Sequence, residues 1–175
     1  MTNWHDNILL DPTADSASTC RDRLPPPADL RRGVVALLDI GKMRGDEYID
    51  ELERQLGKLG YQTRRYAKPT NVKVAPTDLV QRIVDEADFV IEALADCGSC
   101  TSCAIHDVNT LDQLGVPGLL VATTEFLAAA EAQSNALAFK PAIVWVEHPV
   151  QNRTTAELHE MARRSMTDVK ALMTP

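Results

Sequence analysis

The sequence predicts an α/β fold with a doubly wound parallel five-stranded sheet of the flavodoxin-like type, in the order 2-1-3-4-5. Continuous apolar runs at residues 34–38 and 142–146 are typical of strands that are covered by helices on both faces. Between such runs, apolar residues recur at helical spacing. Strands and helices therefore alternate along the chain, which favours a parallel sheet with right-handed crossovers.

The predicted elements follow one another from Gly33 onward. The predicted strands are residues 34–38, 61–66, 88–95, 116–122 and 142–146. The predicted helices are approximately residues 46–59, 76–84, 100–114, 125–137 and 155–172. Asp46 and Glu47 early in the first helix, and Gly60 just after it, match the preferences of helix ends. Gly115 ends the third helix in the same way.

The chain is predicted to form one domain, because 175 residues with 45% hydrophobic content can bury an adequate core. This domain spans residues 33–175. Residues 1–32 contain Pro12, Pro25, Pro26 and Pro27 and show little periodicity, so they are predicted to be a Pro-rich N-terminal arm, laid over the domain or partly disordered. Within the arm, His5 carries no functional signal.

Composition argues against several partners and locations. The net charge of −7 and the pI near 5.0 disfavour nucleic acid and anionic membranes as partners. The first residues lack the pattern of a secretory signal, and no apolar run is long enough to span a bilayer. We expect a cytoplasmic protein.

Three of the four cysteines lie within residues 97–103, which indicates a local reactive or metal site and not a disulfide framework. Cys97 and Cys100 form a Cys-x-x-Cys unit where the third strand passes into a helix, and the helix N-terminus favours a thiolate there. We predict that Cys97 attacks and Cys100 resolves by forming a disulfide. The alternative is a pair of buried structural cysteines. The fourth, Cys20, is interpreted as an incidental thiol.

The strand order predicts where a substrate binds. The order reverses between the first and third strands, so the loop at Asp39 should face the loop at Asp96. Thr123 and its neighbours at the end of the fourth strand could hold a polar group, or could simply cap a helix. The predicted substrate-binding residues are Asp39, Gly41, Lys42, Asp96, Gly98, Ser99, Thr101, Thr123, Thr124, Glu125 and His148.

Two further interpretations involve Cys103 and His106. With Cys97 and Cys100 they could form a metal or iron–sulfur site, although a continuous helix would hold the four ligands poorly. His106, beside Asp107, could serve as a general acid or base, or could lie on a solvated helix face together with the surface residue His159. No cofactor is predicted, because neither a P-loop nor a dinucleotide-binding glycine motif is present.

The segment from Asp96 to Ser102, followed by His106 and Asp107, resembles the family named for its UGSC motif, in which some members carry selenocysteine at the position of Cys97. Further matches are at residues 10–12, 38–42 and 148–149, so the resemblance covers nearly the whole chain. A looser resemblance links Cys97, Cys100 and Cys103 to selenoprotein B of the glycine and betaine reductases. The UGSC pattern usually has an aromatic residue at the place of Cys103. The resemblance implies a redox or nucleophilic role for Cys97.

These observations favour a thiol-dependent oxidoreductase that acts on a small electrophilic or reducible substrate and is regenerated by an external thiol. One alternative is a lyase or transferase that uses the Cys97 nucleophile without net redox chemistry. Others are a metal-binding protein and an accessory subunit of a larger complex, in which the arm forms an interface. Assembly into a homo-oligomer or with a partner subunit is compatible with each of these functions.

Overall fold

The computed structural model describes residues 20–175, and in this part of the chain the predicted fold is confirmed. The strands are β1 (Arg21–Asp22), β2 (Val34–Asp39), β3 (Gln62–Ala67), β4 (Phe89–Ala95), β5 (Gly118–Thr123), β6 (Phe139–Lys140) and β7 (Ala142–Val146). The α-helices are α1 (Gly45–Lys58), α2 (Thr77–Glu86), α3 (Gly98–Gln113), α4 (Leu127–Ala136) and α5 (Thr155–Leu172). The main sheet has the order β3-β2-β4-β5-β7, and all of its strand pairs are parallel.

Helices cover both faces of this sheet. The helices α1 and α5 pack on one face, and α2, α3 and α4 pack on the other. The central strand β4 is buried at all seven of its residues, which explains why its sequence does not alternate between apolar and polar residues. Its carboxyl end therefore delivers the following residues directly to the edge of the sheet.

The strand order reverses between β2 and β4, which are neighbours in the sheet although β3 lies between them in the sequence. The register pairs Asp39 at the end of β2 with Ala93 in β4. The loop after β2 and the start of α3 consequently lie at the same sheet edge, where ligands bind in folds of this class.

Several element boundaries differ from the predicted ones. The helix α3 begins at Gly98 instead of near residue 100, because Cys97 caps it. A 3₁₀ turn at Thr124–Phe126 precedes α4, so that this helix starts two residues later than predicted. The second strand occupies Gln62–Ala67 and is shifted by one residue.

The described part of the N-terminal arm packs against the domain. Its short strand β1 pairs with β6, an addition that the sequence pattern did not indicate. The guanidinium of Arg21 forms an ion pair with the buried carboxylate of Asp112, which also accepts a hydrogen bond from the Leu24 N–H at 2.9 Å. Arg23 donates to the carbonyl of Leu172 at 2.7 Å. His5 and the Leu10-Asp11-Pro12 match lie outside the described residues, and the division at residue 32 stays a prediction.

In residues 20–175, no helix is both long enough and apolar enough to cross a membrane.

We expect Asp112→Ala to lower the free energy of unfolding by about 1–3 kcal/mol, because the substitution removes a buried acceptor that serves both Arg21 and Leu24. Urea denaturation measures this change. Asp85→Ala is the matched control, since that carboxylate bonds to Gln81 on the exposed surface of α2. Equal effects of the two substitutions would show that Asp112 does not anchor the arm.

Candidate active site

Cys97 and Cys100 meet at the first turn of α3. Cys97 is the N-cap residue: its Sγ accepts the Cys100 N–H at 3.3 Å, and its own N–H donates to Cys100 Sγ at 3.0 Å. The two sulfur atoms are 2.6 Å apart. The hydroxyl of Thr101 donates to the Cys97 carbonyl at 2.8 Å and secures the same turn. The spacing of the motif thus brings both thiols to one point.

The two thiols differ in exposure and in acidity. Cys97 is partly exposed, whereas Cys100 is 1% exposed. Burial opposes ionisation of Cys97, but hydrogen bonds from the Cys100 thiol, the Cys100 N–H and the Ser99 hydroxyl outweigh it, with help from the Lys42 charge, and lower the pKa of Cys97. Burial and the neighbouring Cys97 raise the pKa of Cys100 to about 12. Cys97 is therefore the thiol that ionises first.

The surface beside Cys97 is open. A Cβ atom at Gly98 would have no atom within 4 Å, and the Ser99 hydroxyl lies 3.6 Å from Cys97 Sγ. Cys97 itself is partly exposed, so that a molecule can reach it from solvent.

Lys42 and Asp96 form an ion pair next to the thiols. Asp96 is 5% exposed, and its second oxygen accepts a hydrogen bond from Gln151 Nε2 at 2.9 Å. Burial opposes the charge on Lys42, but the Asp96 carboxylate outweighs it and raises the pKa of the ammonium. Gln151 belongs to the loop after β7 and was not predicted, because glutamine in a polar loop carries no sequence signal.

Asp39 fixes the loop that faces Cys97. Its Oδ1 accepts the Gly41 N–H at 2.8 Å, and burial raises the pKa of this carboxyl despite that bond. Gly41 has a φ of +77°, and a Cβ at this position would lie 2.5 Å from the Lys68 carbonyl oxygen. This loop thus requires glycine both for its backbone conformation and for its close approach to the chain after β3.

The end of β5 contributes a polar contact at the same sheet edge. The hydroxyl of the buried Thr123 lies 3.2 Å from His148 Nδ1, and the His148 ring packs edge-on against Phe126. Thr124 and Glu125 are exposed and belong to the 3₁₀ turn. The predicted helix N-terminus at this position is therefore displaced, and α4 starts without a side-chain cap.

The structure separates His106 from Asp107. Among the described residues, no hydrogen bond or ion pair joins the His106 ring to Cys97 or Cys100. Asp107 is buried, and it binds Lys68 at 2.5 Å and accepts the Ala75 N–H at 2.7 Å. The two neighbours in sequence consequently do not form the acid–base pair that was considered for them.

A buried charge cluster underlies this sheet edge and was missed in the sequence. Lys68 lies between Asp107 and Glu92, whose Oε1 is 3.7 Å from Lys68 Nζ. Burial and the Asp107 charge raise the pKa of Glu92 well above its usual range. A signal was available: Glu92 interrupts an otherwise apolar strand that helices cover on both faces.

Cys103 lies one turn beyond Cys100 on α3 and is partly exposed. Burial raises the pKa of the Cys103 thiol, in contrast to that of Cys97. Cys20, near the start of the described chain, is also partly exposed and unpaired with another cysteine. All the described cysteines are thus free thiols, and only Cys97 and Cys100 are in contact.

A groove of about 360 Å³ lies between β7 and α5. It is lined by Trp145, Glu147, Arg153, Met161 and Arg164 together with neighbours on α5. This groove is separate from the thiol pair, which lies at the open carboxyl edge of the sheet.

Comparison with known proteins identifies a family. The model of the UGSC family matches residues 8–175. No curated protein matches the chain. The looser resemblance to selenoprotein B stays a prediction.

Solved structures similar to this chain include a rubredoxin oxygen:oxidoreductase from Desulfovibrio gigas, with a TM-score of 0.45 and 12% identity over 86% of this chain and 38% of that one. A flavodoxin-like domain from Synechococcus sp. has a TM-score of 0.44 and 15% identity over 78% of this chain and 90% of that one. A flavone reductase has a TM-score of 0.42 and 13% identity over 81% of this chain and 66% of that one. These likenesses concern the fold alone, and the chain spans well under half of the first protein.

We expect Cys97 to react with iodoacetamide at a lower pH than Cys103, because the pKa of Cys97 is lowered and that of Cys103 is raised.

Lys42→Met should slow the Cys97 reaction about threefold to tenfold near neutral pH by removing a nearby positive charge. Peptide mass spectrometry after timed alkylation measures each site. Lys140→Met, at an exposed ion pair with Asp22, should change neither rate.

Proposed function

This chain belongs to the UGSC family, and we propose that it is a thiol-dependent oxidoreductase that acts on a small electrophilic or reducible substrate through Cys97 and Cys100. The observation that carries the proposal is the contact of a partly exposed thiol with a buried one at the start of α3, with their sulfurs 2.6 Å apart. This arrangement suits an attacking and a resolving thiol.

The first step is attack by the Cys97 thiolate. On a substrate with a reducible bond between two heteroatoms, a bond forms between Cys97 Sγ and one of these atoms, and the other atom leaves with the bonding electron pair. The leaving atom takes a proton from water. The helix N-terminus and the Lys42 ammonium stabilise the thiolate before this step.

In the second step Cys100 resolves the adduct. Its sulfur loses a proton to water and attacks Cys97 Sγ, so that a disulfide forms and the rest of the substrate leaves as a second reduced product. Two thiols have then lost two electrons and two protons, and the substrate has gained them. An external thiol reduces the disulfide by the same exchange and restores the enzyme.

The loops around the thiols would position the substrate. Lys42 and the Asp39 loop form one wall, and Thr123 with His148 forms another at the end of β5. Exposed apolar side chains project from loops at this edge, notably Met43 and Val72, which are 77% and 57% exposed. They favour a substrate that carries an apolar portion beside its reactive group. The scheme requires no role for His106.

The lyase or transferase alternative uses the same nucleophile, and Cys100 separates the two functions because only the redox reaction needs a resolving thiol. The cytoplasmic location and the association with a homo-oligomeric or other partner stay predictions.

We expect the variants of the two thiols to differ when reduced protein is exposed to a small aromatic disulfide. In wild type, Cys100 should resolve the mixed disulfide on Cys97. The protein should then carry an internal disulfide and have lost two hydrogens. Cys100→Ser should retain the mixed disulfide on Cys97, and Cys97→Ser should form neither product at this site at a comparable rate. Intact-protein mass spectrometry followed by peptide mapping reads all three outcomes.

Cys103→Ser is the control and should behave as wild type. An adduct that Cys103, and not Cys100, resolves would contradict the proposed division of roles. Net turnover of any substrate by Cys100→Ser at the wild-type rate would support the non-redox alternative instead.

We expect Asp39→Ala to slow adduct formation with charged or bulky disulfides more than alkylation of Cys97 by iodoacetamide. The substitution releases the Gly41 loop, which shapes one wall of the site, whereas it leaves the thiol pair in place. Comparing the two reaction rates in the variant with those in wild type measures this selectivity. An equal effect on both reagents would show that Asp39 acts on the thiol itself.

A further inference from the structure

We propose that reduced Asp96, Cys97 and Cys100 form a binding site for a thiophilic divalent cation of the zinc class. One donor atom from each residue lies within 4.8 Å of the others, and within residues 20–175 no other group of three such side chains meets this condition. Two thiolates and one carboxylate are ligands that zinc accepts, and three protein ligands leave a fourth position open.

Asp96 is suited to be a ligand because it is already held in position. Gln151 donates to Oδ2 at 2.9 Å, which orients the carboxylate as outer partners of metal ligands do. The other oxygen, Oδ1, is buried, and its partner among the described residues is the Lys42 ammonium. The cation would therefore displace the Lys42 ammonium from Oδ1.

The thiols can reach tetrahedral geometry with a small movement. Two sulfurs bound to one zinc ion at about 2.3 Å each are separated by roughly 3.8 Å, whereas Cys97 and Cys100 are now 2.6 Å apart. Cys97 is partly exposed at the helix cap, and the position beside it at Gly98 is open, so its side chain can rotate outward. Cys100 can stay buried in α3.

Binding releases the two thiol protons to solvent, and the ion with two thiolates and one carboxylate carries a net charge of −1. Lys42 opposes the ion because its ammonium occupies the same carboxylate oxygen, yet it compensates the negative charge once it moves aside. The ligand set differs from the four-residue set that the sequence spacing suggested, because it contains Asp96 and omits Cys103 and His106.

This inference rests on the same thiols as the proposed oxidoreductase, and the two states exclude each other. The disulfide cannot bind the ion, and the bound ion covers the nucleophile. A cation at this site would therefore hold the enzyme in a reduced, inactive form until a chelator or a competing thiol removes it.

The test uses the full chain, reduced and freed of metal with a chelator, and titrated with Co²⁺ as a spectroscopic probe before Zn²⁺ displaces it. Wild type should show a thiolate-to-cobalt charge-transfer band of two-thiolate intensity. Cys100→Ser should reduce the band by about half, and both Cys100→Ser and Asp96→Asn should weaken binding at least tenfold. Cys103→Ser and His106→Ala should match wild type, and loss of affinity in either would overturn the ligand set.

Lys42→Met supplies the sharpest comparison, since it should tighten Co²⁺ binding severalfold while it slows alkylation of Cys97 measured with chelator present. Unchanged or weaker Co²⁺ binding in this variant would contradict the competition for Asp96. If Asp96→Asn fails to fold, alkylation of wild type decides: Zn²⁺ should protect Cys97 but not Cys103. Absence of both the cobalt band and this protection would refute the metal site, while disulfide formation in chelator would leave the oxidoreductase proposal intact.

Discussion

The reversal of strand order between β2 and β4 is the constraint on which the rest of the site depends. Because both strands are parallel and buried by helices on each face, their carboxyl ends must open at one edge of the sheet. The loop after Asp39 and the Cys97 cap then face each other, and the ion pair between Lys42 and Asp96 joins them. The thiol pair acquires its surroundings from the sheet, and only its own geometry from the motif.

Charge balance at this edge is maintained in two separate pairs. Lys42 and Asp96 lie beside the thiols, and Lys68 and Asp107 are buried beneath, next to Glu92, whose pKa is raised by burial. Removing ions from water is costly, so each buried charge has an opposite charge in contact. The deeper pair joins the chain after β3 to α3, while the outer pair stays close enough to solvent for Lys42 to exchange partners.

The asymmetry of the two thiols follows from one turn of helix. As the N-cap, Cys97 is partly exposed and receives hydrogen bonds, whereas Cys100 is buried in the core that α3 forms with β4 and β5. The same contact that stabilises a thiolate on Cys97 suppresses ionisation of Cys100. This arrangement therefore suits a nucleophile with a resolving thiol, and it also suits two ligands of one cation.

The sequence by itself determined the fold class, the strand order and the contact of Cys97 with Cys100, because these depend on local periodicity and on a two-residue spacing at a helix start. Only the tertiary structure decided that Asp107 turns away from His106 to Lys68, that Asp96 binds Lys42 and Gln151, and that β1 adds to β6. These contacts join residues far apart in the chain. Which residues meet in them is decided by the packing of the helices on the sheet, and no local pattern of residues encodes that packing.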